Sequence, residues 1–153
     1  MYTMIDNSDV TEAQDGQIVD RRIENLLSYT LAGKINHPDY DSLLNEVLRE
    51  FLHSDMPLFY ASKTQSHDAT VISYIVGCGM ECSITVPGSA NWPGEFSYAP
   101  DFPVAVAVYP RHEDEACCYF PGRNLNLAAL GALVQVARQK CDIRNNQREL
   151  PLN

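Results

Sequence analysis

The chain is short of bases. Eleven Lys and Arg stand against 20 Asp and Glu, a formal net charge of −9 over 153 residues. That imbalance argues against general binding to nucleic acid, whose phosphates would be repelled over most of the surface. It is also uneven, at −7 over residues 1–55, −5 over residues 56–121 and +3 over residues 122–153. Such a distribution suits a basic partner and equally serves solubility. No apolar run approaches the roughly 20 residues that a membrane-spanning helix needs. The opening Met-Tyr-Thr-Met-Ile-Asp has neither the basic nor the apolar region of a secretory signal. A cytoplasmic protein with no membrane partner is the expectation. Cysteines are few and odd in number, five, which points to reduced thiols and not to a disulfide framework. Tryptophan occurs once, at Trp92, and there is no internal repeat or low-complexity tract.

What is present reads as one α+β domain. Residues 1–16 carry Asp6, Asp9, Glu12 and Asp15 with few large apolar residues, an acidic flexible arm by composition. The domain itself is expected over residues 17–141, with a flexible polar tail over residues 142–153. Val19, Ile23, Leu26, Leu27, Thr30 and Leu31 make one helical stripe from about residue 17, stopped near Gly33. Pro38 and Asp39 open a second helix with Tyr40, Leu43, Leu44, Val47, Leu48, Phe51 and Leu52 on its stripe. Together they predict a helical hairpin.

Strands are expected at residues 58–61, 69–76, 82–86, 104–109 and 116–120, a mainly antiparallel sheet of about five. The clearest lies between Pro103 and Pro110, where Val104, Val106 and Val108 alternate with Ala105 and Ala107. Neither face is polar, so helices are expected on both sides, an α/β/α-type sandwich, with burial in a homo-oligomer as the alternative cover. Asn124 or Asn126 caps a last helix, apolar almost all round, running to about Lys140. Its small residues match the small face of Ala105 and Ala107.

Two segments carry a family resemblance. Pro38, Tyr40 and Ser42 open the helix bearing Leu44, Val47 and Leu48, and an alanine-rich helix from Leu125 to Ala137 closes the domain. In this the chain resembles the small phage proteins of the phage ABA sandwich domain type, over roughly residues 17–140. The resemblance implies a phage or prophage context and no catalytic site.

Chemistry-bearing residues are sparse. Cys78 and Cys82 with Cys117, Cys118 and His112 have the ligand types of a tetrahedral zinc site, but the C-x3-C spacing is not the usual one and adjacent cysteines on a strand point to opposite faces. A cysteine nucleophile with His112 or His67 as base, and Asp68 or Glu113 to orient it, is another arrangement, without a local signature to support it. Ser66-His67-Asp68 cannot converge as a triad, and Gly77-Cys-Gly79 and Pro87-Gly88 read as turns. No metal or cofactor is expected.

The binding candidates are of three kinds. Trp92, Phe96, Tyr98 and Phe102 cluster around a proline- and glycine-rich loop. Asp41, Glu46 and Glu50 give the second helix an acidic face, and Arg111 and Arg123 suit an anionic ligand. The function these support is a non-enzymatic phage-type accessory protein that binds a host or defence protein through the acidic face or the Trp92 loop. The alternatives are a binder or sponge for a small anionic ligand such as a nucleotide, and a Cys/His-dependent hydrolase.

Overall fold

A helix apolar on every side must be surrounded, and that requirement sets the architecture. In the computed structural model, which describes residues 10–12, 18–36, 38–52, 68–86, 102–111 and 115–149, the last helix occupies the centre. It is named α4 (Leu125–Glu149) and packs between a three-stranded sheet and the helices α1 (Arg21–Leu31), α2 (Tyr40–Leu52) and α3 (Asp68–Gly77). The sheet consists of β3 (Glu81–Thr85), β4 (Val104–Tyr109) and β5 (Cys118–Gly122), antiparallel in the order β3-β4-β5. A separate two-stranded ribbon pairs β1 (Val10–Glu12) with β2 (Ile18–Asp20).

Directly opposed residues of an antiparallel pair share a face. Val106 opposes Ile84 and Phe120, and Val108 opposes Cys82 and Cys118. This face joins the core, where Val106, Val108 and Phe120 meet Leu130 and Leu133 of α4, Leu26 of α1, Leu44 of α2 and Ile75 of α3. Approach is close because α4 and β5 carry glycine where they touch. A methyl on Gly131 would overlap the Phe120 ring, and one on Gly122 would overlap the backbone of Ala128.

The helix end expected at Gly33 is a Schellman turn, and so is the turn at Gly79, which closes a helix where a turn between strands was expected. Gly33, at φ +75°, donates to the carbonyl of Thr30 and Lys34 to that of Tyr29. Gly79, at φ +85°, donates to Val76 and Met80 to Ile75, with Ile75 and Met80 both buried. Asn124 is the residue that caps α4, its side-chain oxygen accepting from Leu127 N at 2.9 Å. Between α1 and α2, the buried Thr30 and Tyr40 hydroxyls share a hydrogen bond of 2.6 Å.

Several expectations need correction. The segment 69–76 is helix, not strand. Its buried Val71, Tyr74 and Ile75 follow the helical spacing i, i+3, i+4, while Ser73 and Val76 face solvent. The main sheet therefore has three described strands instead of about five; residues 58–61 lie outside the described residues. The first helix begins at Arg21, because Asp20 caps it, and residues 18–20 pair with residues 10–12 of the segment read as an arm. The strand read over residues 116–120 is displaced to Cys118–Gly122, which lies at the edge of the described sheet, a position where a proline such as Pro121 is tolerated.

The last helix continues to Glu149, well past Lys140 and through most of the segment read as a flexible tail, because Cys141 and Asn145 are still buried and Arg144 still has a partner on α2. The contiguous core takes in the valine face, so α4 packs there and not on Ala105 and Ala107. Among the described residues the arrangement is helices on the valine face, not an α/β/α sandwich. Ala105 and Ala107 are nonetheless 0% exposed within the single chain, so those two residues need no second copy to cover them.

Candidate functional site

Antiparallel pairing of β3 with β4 brings the turn before β3 beside the residues after β4, since Glu81 opposes Tyr109. Cys78 and Met80 from that turn meet Pro110 and Arg111 there. With Phe51 and Leu52 from the end of α2 and Lys140 from α4, they line a pocket of about 180 Å³. Its lining mixes apolar and polar groups, and its charged groups are two cations.

Arg111 lies across the Gly79 turn, its guanidinium 3.4 Å from where a Cβ of residue 79 would stand. The glycine thus serves both the positive φ and the seat of the arginine. Lys140 is fixed from behind by Glu115, Nζ to Oε1 at 2.8 Å. The neighbouring Gln139 reads the backbone of Ala116 like a strand partner. Its Oε1 accepts from Ala116 N at 2.6 Å and its Nε2 donates to Ala116 O at 2.9 Å. Glu115 keeps its second oxygen, Oε2, buried without a hydrogen-bond partner.

Behind the pocket runs an ion network. Asp20 caps α1 by accepting from Arg22 N at 3.0 Å and holds the Arg22 guanidinium at 3.1 Å (Nε to Oδ1) and 2.7 Å (Nη2 to Oδ2). Arg22 also reaches Glu50 at 2.9 Å and Glu46 at 3.4 Å, and Arg144 donates to Glu50 at 2.8 Å. Both arginines attend the Phe51 ring, Arg144 at 4.6 Å and Arg22 at 6.0 Å from its centroid. The ring that forms part of the pocket wall is held by this network.

Protonation follows from these partners. Burial opposes the Arg22 charge, yet the carboxylates of Asp20 and Glu50 more than offset it and push its pKa further up. Burial alone would raise the Glu50 carboxyl, but hydrogen bonds and charge from Arg144 and Arg22 hold it below the usual glutamate range. The thiols move the other way. Burial, with Cys117 and Glu115 nearby, pushes Cys118 up to about 11, and burial raises Cys82 and Cys141 as well.

Of the nine candidate binding residues, the six that are described do not converge on one site. Arg111 is in the pocket. Arg123 is not; its side chain lies against Gly33 at the end of α1, 3.8 Å from that glycine's Cβ position. Phe102 is half-buried at the opposite end of β4 from Arg111, and Trp92, Phe96 and Tyr98 lie outside the described residues. Glu46 and Glu50 are engaged by Arg22 and Arg144, so two of the three acids of the α2 face are spent within the chain, and Asp41 is half-buried at the first turn of α2.

Among the described residues no three of Cys, Asp or Glu gather as metal ligands, and His112, His67 and Glu113 lie outside them. Among the described residues, too, no helix is long and apolar enough to cross a membrane. Cys78, Met80 and Lys140 as neighbours of Arg111 went unrecognised in sequence. The signal for the first two was the β3–β4 register, while Lys140 looked only like a base suited to a helix end.

No protein-family model, curated protein or solved structure matches the chain. The resemblance to the phage ABA sandwich domain rests on the two sequence segments alone.

Proposed function

We propose that the protein binds a small anion, or the anionic end of a larger ligand, in the pocket between α2, β4 and α4. The observation that carries this reading is the convergence of Arg111 and Lys140 on one cavity in a chain with so few bases. A planar guanidinium and an ammonium with three protons, one of them given to Glu115, match a carboxylate or phosphate. At about 180 Å³ the cavity is smaller than the roughly 300–1,000 Å³ that encloses a drug-sized ligand. A nucleotide would enter by its phosphate, not whole.

Thermal-shift screening tests the reading, because a ligand that binds only the folded state raises the melting temperature by mass action. Phosphate, nucleoside monophosphates and small carboxylates are the panel. At least one should raise the melting temperature of the parent chain and not that of R111Q. A flat panel would sink the proposal.

A second reading is the phage-type accessory protein that binds a host or defence protein. What favours it is an apolar pair, Ile84 at 56% and Val86 at 53% exposed, on and just after the edge strand β3. Recovery of one bacterial protein by the parent chain and not by an I84K/V86K variant would support it.

A further inference from the structure

We propose that Cys78 is a thiol–disulfide exchange site for small anionic disulfides, whose carboxylates are received by Arg111 and Lys140 of the same pocket. The inference rests on the anion-binding reading and adds to it a covalent step and a ligand class. The cysteine does not stand alone, since two cations line the cavity that it lines. It belongs to no disulfide and is half-buried, whereas Cys118 and Cys141 are buried in the core.

Its position is fixed by the Schellman turn. The Cys78 N–H donates to Tyr74 O at 3.0 Å and Ile75 O at 3.2 Å, and Gly79 at positive φ directs the chain onward. The end of α3 carries the helix's negative pole, equivalent to roughly half a charge, which opposes a thiolate. Arg111 and Lys140, the latter paired with Glu115, line the same cavity and present cationic groups to an incoming anionic disulfide. The Arg111 guanidinium lies over residue 79, next in sequence to the cysteine.

The step balances without a further reagent. Cys78 loses its thiol proton to solvent, and its sulfur attacks one sulfur of the disulfide. The S–S bond breaks as the new one forms, and the departing thiolate takes a proton from solvent. The protein thiol is oxidised to a mixed disulfide and half of the small disulfide is reduced to a thiol. An anionic disulfide such as oxidised glutathione is attracted by the two cations, and a neutral one such as hydroxyethyl disulfide is not.

The test is peptide mapping by mass spectrometry of the full chain after timed exposure to each disulfide. Cys78 is expected to be modified ahead of the other four cysteines by oxidised glutathione, and R111Q to slow that reaction about tenfold more than it slows the reaction with the neutral disulfide. The proposal is overturned if Cys78 reacts no faster than Cys117, or if R111Q slows both disulfides alike. A C78S variant separates the two readings. If the anions of the thermal-shift panel still stabilise C78S while Cys78 of the parent fails to exchange, only the exchange proposal falls. If no anion stabilises either chain, the pocket reading falls and the exchange proposal with it.

Discussion

Arg22 shows how one side chain sets the worth of several others. It is buried, and so is Asp20, which caps α1 and takes its bidentate bond. Truncating Arg22 would leave the Asp20 charge buried and unpaired, a loss that runs to about 3–5 kcal/mol. Chemical denaturation of Arg22→Ala should show it. The exposed Arg138–Glu24 pair, 3.6 Å apart, contributes about 0–1 kcal/mol at most, so Arg138→Gln should unfold close to the parent midpoint.

Glu50 adds a pH dependence with a definite sign. Its folded pKa lies below its unfolded one, so the stabilisation is present above the ordinary glutamate value and lost as pH falls through the lower, folded value. Denaturation midpoints measured on either side of that range should fall more steeply in the parent than in Glu50→Gln. Cysteine reactivity divides along burial. With its thiol pushed up to about 11, Cys118 should resist iodoacetamide at neutral pH until the chain unfolds, which quantified peptide mapping will report.

At the scale of elements, glycine decides how closely α4 approaches the sheet. Gly131→Ala would force the Phe120 ring aside in a packed core, at about 1–3 kcal/mol, read as a lowered melting temperature with the fold retained by circular dichroism. Why some elements were legible in sequence and others not follows from the same packing. The α2 stripe of Tyr40, Leu43, Leu44, Val47, Leu48 and Phe51 is one-sided because one face of that helix meets water, so its period is visible. The α3 segment is almost entirely apolar, and Val71, Ile72 and Ile75 are β-branched. Its period of burial emerges only after its neighbours are placed, so local composition pointed to a strand. β4 was legible for a simpler reason, since prolines bracket a strict alternation. The continuation of α4 to Glu149 was hidden because the residues that hold it, Cys141, Arg144 and Asn145, look polar in sequence and are anchored by α2 and by burial.

For the whole molecule, the acidic surplus and the basic pocket are parts of one charge distribution. Glu46 and Glu50 are matched by Arg22 and Arg144, while Arg111 has no carboxylate partner among the described residues. Of the candidate site, Arg111 was legible as a base at the end of a strand. Its companions Cys78 and Met80, from one turn, and Lys140, from α4, meet it only through the β3–β4 register and the long α4. The most direct measurement is isothermal titration of the parent chain and of R111Q with whichever anion of the panel stabilises the parent most. A guanidinium hydrogen-bonded to an anion contributes about 1.5–3 kcal/mol, so R111Q is predicted to bind at least about tenfold more weakly. Equal affinity of the two proteins for that anion would contradict the account.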